Sequence, residues 1–424
     1  MNWLIRNARV IDPSCGRDEK ADVRIENGRV AAVGQDLSDD GVTLLAADGL
    51  VCAPGLVDMH VHLRDPGQTW KETIRSGCRA AAAGGVTSLA CMPNTAPACD
   101  SAEVVDYILR EAAGADARVY PVAAVTHGLA GETLTDFAAL KAAGAIAVSD
   151  DGKPVATADL MQRALVEAAA HDLRVLAHCE ELSLVRGGKM HLGDVSRELG
   201  VAGIDPAAED VATAREITLA ACTGRPVHIC HVSTAGSVAL IRDARRRGVP
   251  VTGETAPHYL LLTDEALRAR DADYRMNPPL RTAADAQALK EALADGTLSA
   301  IATDHAPHTP EEKADFLNAP NGSIGMETSL AASLTALVND GTLSLYELID
   351  RMSTTPAKLL GIPAGTLQAG AAADLVLFDP RAKWTVDPAA LHGKSRNTPF
   401  KGMQLSGRVR LTLLGGRVVY RDSI

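Results

Sequence analysis

Eight short apolar runs, each closing on polar residues and each followed by a helix-periodic segment, narrow what this chain can fold into more than any other feature. The runs are VCAPGLVDMHVH, TSLACMPN, RVYPVAAVTH, AIAVSDDG, RVLAHCE, PVHICHVS, PVTGETAPH and LSAIATDHAPH. Between them, segments such as AEVVDYILREAA, LMQRALVEAAA, DVATAREITLAAC and SVALIRDARRR repeat apolar residues at helical spacing. Gly224 and Gly248 follow the last two of these and suit helix ends. Eight alternations of strand and helix predict an α/β fold, a (β/α)8 barrel of the TIM type. The near-continuous hydrophobicity of the runs fits strands buried on both faces.

The two ends of the chain read differently. NWLIRNARVI alternates, Asn27-Gly28 separates two apolar runs, ADLVLFDP reads as a strand and VRLTLLGGRVVY as a hairpin around Gly415-Gly416. Neither end has enough apolar surface to stand alone. The expectation is one small β-sandwich formed from residues 1–52 and 366–424, flanking a barrel domain over 53–365. A chain of 424 residues has room for both.

Bulk properties exclude several function classes. A net charge of −11 with only 3% aromatic residues argues against nucleic acid, which needs basic grooves and stacking platforms. No apolar stretch is long enough to span a membrane, and the N-terminus lacks a signal-peptide pattern. Eight cysteines without CxxC spacing fit a reducing compartment, so the expected location is cytoplasmic.

Barrels of this type carry their chemistry at the C-terminal ends of their strands. The unusual residues lie there. Strand one ends in LVDMHVHLRDPG, in which His60 and His62 share a face of an alternating strand and Arg64 follows at the turn. Strand two ends in Asn94, strand four in Asp151, strand five in His178, strand six in His231 and strand eight in Asp304. His and Asp are ligands for Zn²⁺ and related ions. Six exceed the need of one tetrahedral site, so two ions sharing one bridging carboxylate are favoured over one. A metal ion lowers the pKa of water from about 15.7 toward 7, which makes a hydroxide nucleophile available at neutral pH. Such a site suits hydrolysis of amides, imides or esters, with Asp304 as ligand and proton carrier.

These motifs resemble the dihydroorotases of the amidohydrolase superfamily. DMHVHLRDP is similar to that family's first signature and ATDHAPHTPEEK to its second, and the MPNT at Met92 to Thr95 and NPPLR at Asn277 to Arg281 fit as well. The resemblance covers essentially the whole chain. It implies reversible cyclisation of N-carbamoyl-L-aspartate to L-dihydroorotate, the third step of pyrimidine synthesis. By matched motif, His60, His62 and Asp304 would bind one zinc ion, His178 and His231 the other, and Asp151 would bridge them. Arg64, Asn94 and Asn277 would hold the substrate carboxylate, for which an arginine fork is suited. His62 would touch substrate as well as metal. The loop from His308 would cover the substrate, with His308, Asn321 and Gly322 at the ring.

The resemblance also sorts the relatives. Many superfamily members bridge their metals with a carbamylated lysine on strand four, but AIAVSDDGKP has no lysine within the strand. That resembles the class I bacterial branch with an aspartate bridge. Asp151 matches its DDG motif; Asp150 and Lys153 are the rivals. Two positions depart from the family pattern: Asn321 stands where an aromatic residue is common, and Asp65 where glutamate is. Of the remaining polar residues, His127 reads as a strand-end residue that could face the pocket, Glu254 and His258 as props for ligands or as packing, His191 and His392 as surface or loop positions, and Cys91, Cys179 and Cys230 as core. The alternatives are another cyclic amidase acting on hydantoins, dihydropyrimidines or allantoin, and a non-catalytic scaffold for aspartate carbamoyltransferase. A homodimer is the family expectation, and association with a carbamoyltransferase is compatible with an intact site.

Overall fold

The computed structural model describes residues 2–422. Strands one to eight of the barrel are Leu56–Val61, Val86–Cys91, Arg118–Ala124, Ala147–Ser149, Arg174–Ala177, Val227–Ile229, Val251–Thr255 and Ala300–Ile301. They pair in chain order, and every pairing is parallel. The ring closes where the His62 amide donates to the His305 carbonyl at 2.8 Å, beside a parallel bridge between Val61 and His305.

Threonines start several of the outer helices. The Thr73, Thr157 and Thr234 hydroxyls accept from backbone amides of the first turn in helices Ile74–Ala83, Ala158–Ala170 and Ala235–Arg246. The third helix-periodic segment becomes Ala207–Thr223 and ends, as expected, at Gly224 with φ 66°. Gly248 falls one residue beyond the cap of its helix, which is Arg247, and takes the positive φ of the turn instead.

Two apolar layers sandwich the barrel wall. Val61, Leu63, Leu89, Cys91, Val148, Val175 and Ile229 face the helices. Val57, Met59, Ala90, Met92, Val122, Leu176 and Ala300 fill the inside, closed at one end by Ala357, Leu360 and Ile362. Strand one does not keep a strict two-residue period. Its pairing register shifts between Asp58 and Val61, so Met59 faces the interior layer while Val61 and Leu63 join the helix-side layer. The irregularity turns His60 and His62 inward.

The two termini make one eight-stranded sheet. Strand Leu375–Thr385 pairs antiparallel with Val51–Pro54, joining the C-terminal half of the sheet to the N-terminal half. Trp3, Ile5, Val23, Ile25, Leu375, Leu377, Leu411 and Leu413 form its apolar core, and the sheet is the β-sandwich expected from both ends. Both anticipated hairpin turns use left-handed backbone, Asn27-Gly28 at φ 50° and 76° and Gly415-Gly416 at 56° and 73°. They abut: a Cβ on Gly28 would lie 2.8 Å from the Gly415 carbonyl oxygen. The Trp3 indole N–H donates to the Gly416 carbonyl at 2.9 Å. No helix among the described residues is long and apolar enough to cross a membrane. All eight cysteines are free.

Gly55 links the sheet to strand one, and a Cβ there would sit 2.0 Å from Thr87 Oγ1 and 2.3 Å from its Cγ2. Gly55→Ala is therefore expected to destabilise the fold by about 1–3 kcal/mol through overpacking, read as a lowered midpoint in denaturant. Adding Thr87→Ala should recover part of the loss. An unchanged midpoint in the single variant would refute this account of the junction.

Candidate metal centre and substrate rim

The six expected residues meet at one end of the barrel. Asp151, just past strand four, is central. Its Oδ1 lies 3.3 Å from His60 Nε2, 3.5 Å from His178 Nδ1 and 3.3 Å from His231 Nε2, and its Oδ2 lies 3.4 Å from His62 Nε2. Asp304 Oδ1 faces the first pair, 3.0 Å from His62 Nε2 and 3.6 Å from His60 Nε2. His178 Nδ1 and His231 Nε2 are 2.8 Å apart. Two candidate ligand groups share Asp151, one with His60 and His62 and the other with His178 and His231, and a third joins His60 to Cys230 and Glu254.

The residues fit a divalent cation. His60 Nε2 and Asp151 Oδ1 are completely buried and have no hydrogen-bond partner, an arrangement that costs free energy unless a ligand completes it. The donors are imidazole nitrogens and carboxylate oxygens, the set that zinc and related ions take. Electrostatics point the same way. Burial by itself would raise the Asp151 carboxyl, but His60, His178 and His231 outweigh it and hold the carboxylate well below its usual range. Burial would likewise raise Asp304, yet the hydrogen bond from His62 and the nearby His60 bring it down to about 2. For His60 the balance runs upward: burial opposes the charged imidazole, and Asp151, Cys230 and Glu254 overcome it. Two buried carboxylates among four imidazoles demand positive charge, as protons or as metal.

Asp150, the rival for the bridging position, is used elsewhere. Its Oδ1 accepts from the Thr126 amide at 2.9 Å and the other oxygen accepts from the Thr126 hydroxyl. Lys153 lies beyond the αL turn at Gly152 and is exposed. Asp58 does the same job as Asp150 for strand eight, accepting from the Thr303 amide at 3.0 Å and its hydroxyl at 2.6 Å. Each buried aspartate fixes the strand end that carries a cluster residue. Arg64, His231 and Asp304 take left-handed backbone at φ 61°, 38° and 48°, which costs a non-glycine residue on the order of 1–2 kcal/mol. Such strain concentrates at functional sites.

The residues expected at the substrate rim already have protein partners. Arg64 is buried, with Nε 3.3 Å from the Pro307 carbonyl and Nη2 3.4 Å from His308 Nε2. Burial lowers it to about 10, so it stays a cation at neutral pH. Asn94 Oδ1 sits 2.7 Å from His62 Nδ1 and so orients that ring, a role its sequence position did not announce. The Asn277 amide donates to Glu180 Oε1 at 3.0 Å and leaves its own Oδ1 unpartnered. Glu180 also faces His178 Nε2 at 3.4 Å. Its place two residues after His178 is the one local signal for this contact.

The loop from His308 packs down onto the barrel. His308 Nε2 lies 2.9 Å from the Asn321 carbonyl, and the Asn321 side chain accepts from Arg275 at 3.1 Å. Burial and the neighbouring Arg64, Lys71 and Lys313 cations push His308 down to about 3, so it is neutral at physiological pH. The Lys313 ammonium donates to the Pro320 and Gly322 carbonyls at 2.9 Å each and to the Arg275 carbonyl at 3.3 Å. Gly322 at φ 128° has no room for a side chain, since a Cβ would meet that of Ala306 at 2.6 Å.

The weaker candidates separate cleanly. Glu254 Oε1 lies 2.8 Å from His60 Nδ1, a prop against the ring. His258 is buried and pushed down to about 4 by burial. His127 is exposed and faces Asp100 at 3.7 Å, away from the cluster. His392 is exposed. His191, expected as a surface or loop residue, is instead buried in a two-residue strand that pairs with Gly203–Ile204, 3.3 Å from Arg281. Cys91, Cys179 and Cys230 are buried, Cys230 beside His60 and Glu254, and burial raises all three thiols.

Comparison with known proteins agrees with this geometry. A family described as Dihydro-orotase-like matches residues 49–237. A dihydroorotase of Geobacter metallireducens is 53% identical, with 99% of this chain and all of the relative covered. One from Citrifermentans bemidjiense is 52% identical with the same coverage. Among solved structures, an L-hydantoinase (dihydropyrimidinase) from Arthrobacter aurescens superposes with a TM-score of 0.88 at 26% identity, covering 99% of this chain and 96% of the other. A dihydropyrimidinase from Brevibacillus agri gives 0.87 at 29% identity over 99% and 95%. With full-length identity of this order to dihydroorotases, on the barrel and sandwich shared with the hydantoinases, the chain belongs to the dihydroorotase family.

Proposed function

We propose that this chain is a zinc-dependent dihydroorotase of the aspartate-bridged branch, interconverting N-carbamoyl-L-aspartate and L-dihydroorotate. The observation that carries the reading is Asp151, shared by two imidazole groups and facing Asp304 across the first of them. His60, His62 and Asp304 would hold one ion and His178 and His231 the other, with Asp151 common to both groups. Bound there, such ions would supply Lewis acidity and lower the pKa of a water molecule toward neutrality. The full-length relatives favour the carboxylated ring over the hydantoins and dihydropyrimidines of the structural neighbours.

The chain's own residues do the rest. Asp304 is held ionised, so its carboxylate is ready to take a proton and return it to the leaving nitrogen. Asn94 fixes the His62 ring through Nδ1, which aims Nε2 at Asp304 and Asp151. Arg64 supplies a buried cation beside the site for the substrate carboxylate, assisted by Asn94 and Asn277. Neutral His308 and the Asn321-Gly322 backbone form the wall over the ring and keep water out. We further propose a homodimer in the cytoplasm, with residues 53–365 as the catalytic domain. Association with aspartate carbamoyltransferase is compatible with the intact site and does not replace its activity.

The test is loss of the ultraviolet absorbance of L-dihydroorotate on mixing with purified protein, with and without a chelator. Chelator-sensitive ring opening is expected; turnover of dihydrouracil with none of dihydroorotate would sink the assignment. Asp304→Asn is expected to lower kcat by about 10²- to 10⁴-fold, the usual worth of a positioned proton carrier. Arg64→Met should lower kcat/KM by about 10- to 100-fold, mostly through KM, because the carboxylate is bound equally in ground and transition states. Asp151→Ala should abolish zinc retention on gel filtration, and full retention would remove it from the bridging position.

A further inference from the structure

The interior of this barrel is lined largely by apolar side chains. Val57, Met59, Ala90, Met92, Val122, Leu176, Cys230 and Ala300 fill it, as side-chain layers do in such barrels. Through them run Glu254 and His228, 1% and 0% exposed. Glu254 Oε1 is 2.8 Å from His60 Nδ1, and Glu254 Oε2 is 3.4 Å from His228 Nε2. His228 Nδ1 is 2.8 Å from Thr252 Oγ1. Neither Glu254 Oε2 nor His228 Nε2 has an aligned hydrogen-bond partner, so these two buried atoms face each other alone.

A buried carboxylate and a buried imidazole are expensive to place where valine or leucine would pack, unless they act on something. The reading of His60 as a metal ligand, on which this inference rests, supplies that object. A ligand nitrogen at Nε2 must be unprotonated, so the ring proton sits on Nδ1 and is donated to Glu254. That fixes one oxygen of Glu254. The other lies 3.4 Å from His228 Nε2, and a Thr252 hydroxyl donating to Nδ1 would place the His228 proton on Nε2, on the Glu254 side. We infer that His228 is a positioning residue for the metal centre: through Glu254 it sets the orientation of the His60 ring and hence the zinc affinity of the His60, His62 and Asp304 side.

The experiment measures Zn²⁺ affinity by competition with a chromophoric chelator, alongside circular dichroism and thermal melting. His228→Leu keeps the bulk and removes the nitrogen; His228→Gln keeps a donor near the Nε2 position. The leucine variant is expected to lose on the order of 10- to 100-fold in zinc affinity with a cooperative melt, and the glutamine variant to stay within a few-fold of the unaltered protein. Unaltered affinity in His228→Leu overturns the inference, as does an equal loss in both variants, which marks a packing role. If His228→Leu does not fold, Thr252→Val removes only the hydroxyl, and its affinity should fall by a smaller factor; no change there overturns the inference as well. Unaltered protein that takes up no zinc overturns the metal reading first, so the two failures are told apart.

Discussion

The structure is organised around one unfavourable act, the burial of two carboxylates among four imidazoles at the mouth of a barrel. Asp151 and Asp304 have almost no contact with solvent, and the groups closest to them are histidines from other strands. Such a cluster holds its geometry only if every strand end is fixed, because a displaced member leaves an uncompensated buried charge. The rest of the barrel supplies that fixation. Asp58 ties strand one to Thr303, Asp150 ties strand four to Thr126, and Glu209 accepts from the Ser233 and Thr234 amides just beyond His231. In all three cases a buried carboxylate accepts from a backbone amide, and either the carboxylate or the amide lies within two residues of a cluster member.

The terminal sheet and the loops extend the same logic outward. Strand Val51–Pro54 feeds directly into strand one, so the sheet built from both termini anchors the segment that carries His60 and His62. The C-terminal segment returns to the rim, where the Asn397 amide donates to the Ala306 and Gly322 carbonyls at 3.1 Å. Lys71 joins the first loop to the last through Glu312 at 3.0 Å. The Lys313 ammonium substitutes for three backbone donors in a loop with little regular structure of its own, and burial pushes it down to about 8. The wall beside Arg64 is therefore made of residues from both ends and the middle of the chain.

Much of this was legible in the order of residues alone. The eightfold strand–helix alternation prescribed the barrel, since a parallel strand buried on both faces needs continuous hydrophobicity and a helical crossover. The rule that function sits at strand ends then picked out His60, His62, Asp151, His178, His231 and Asp304, and the chain brings all six together. The glycine turns at 27–28 and 415–416 were equally plain, because two consecutive left-handed residues admit few side chains. What each end pairs with, that the two turns touch, and the choice between Asp150 and Asp151 as neighbour to the imidazoles required the folded chain.

Local pattern therefore determined which elements form and which residues reach the rim, because periodicity and strand-end position are properties of neighbouring residues. Only the tertiary structure decided what those residues touch. A register shift in strand one, not simple alternation, turns His60 inward. Asn94 and Asn277, expected to hold the substrate carboxylate, are also bonded to His62 and Glu180. His191 is buried in a two-residue strand, and His228 meets Glu254 across two strands of the interior. Each of these depends on contacts between residues remote in sequence, whose partners are set by packing and by the need to satisfy buried polar groups, and neither leaves a signature in a window of a dozen residues.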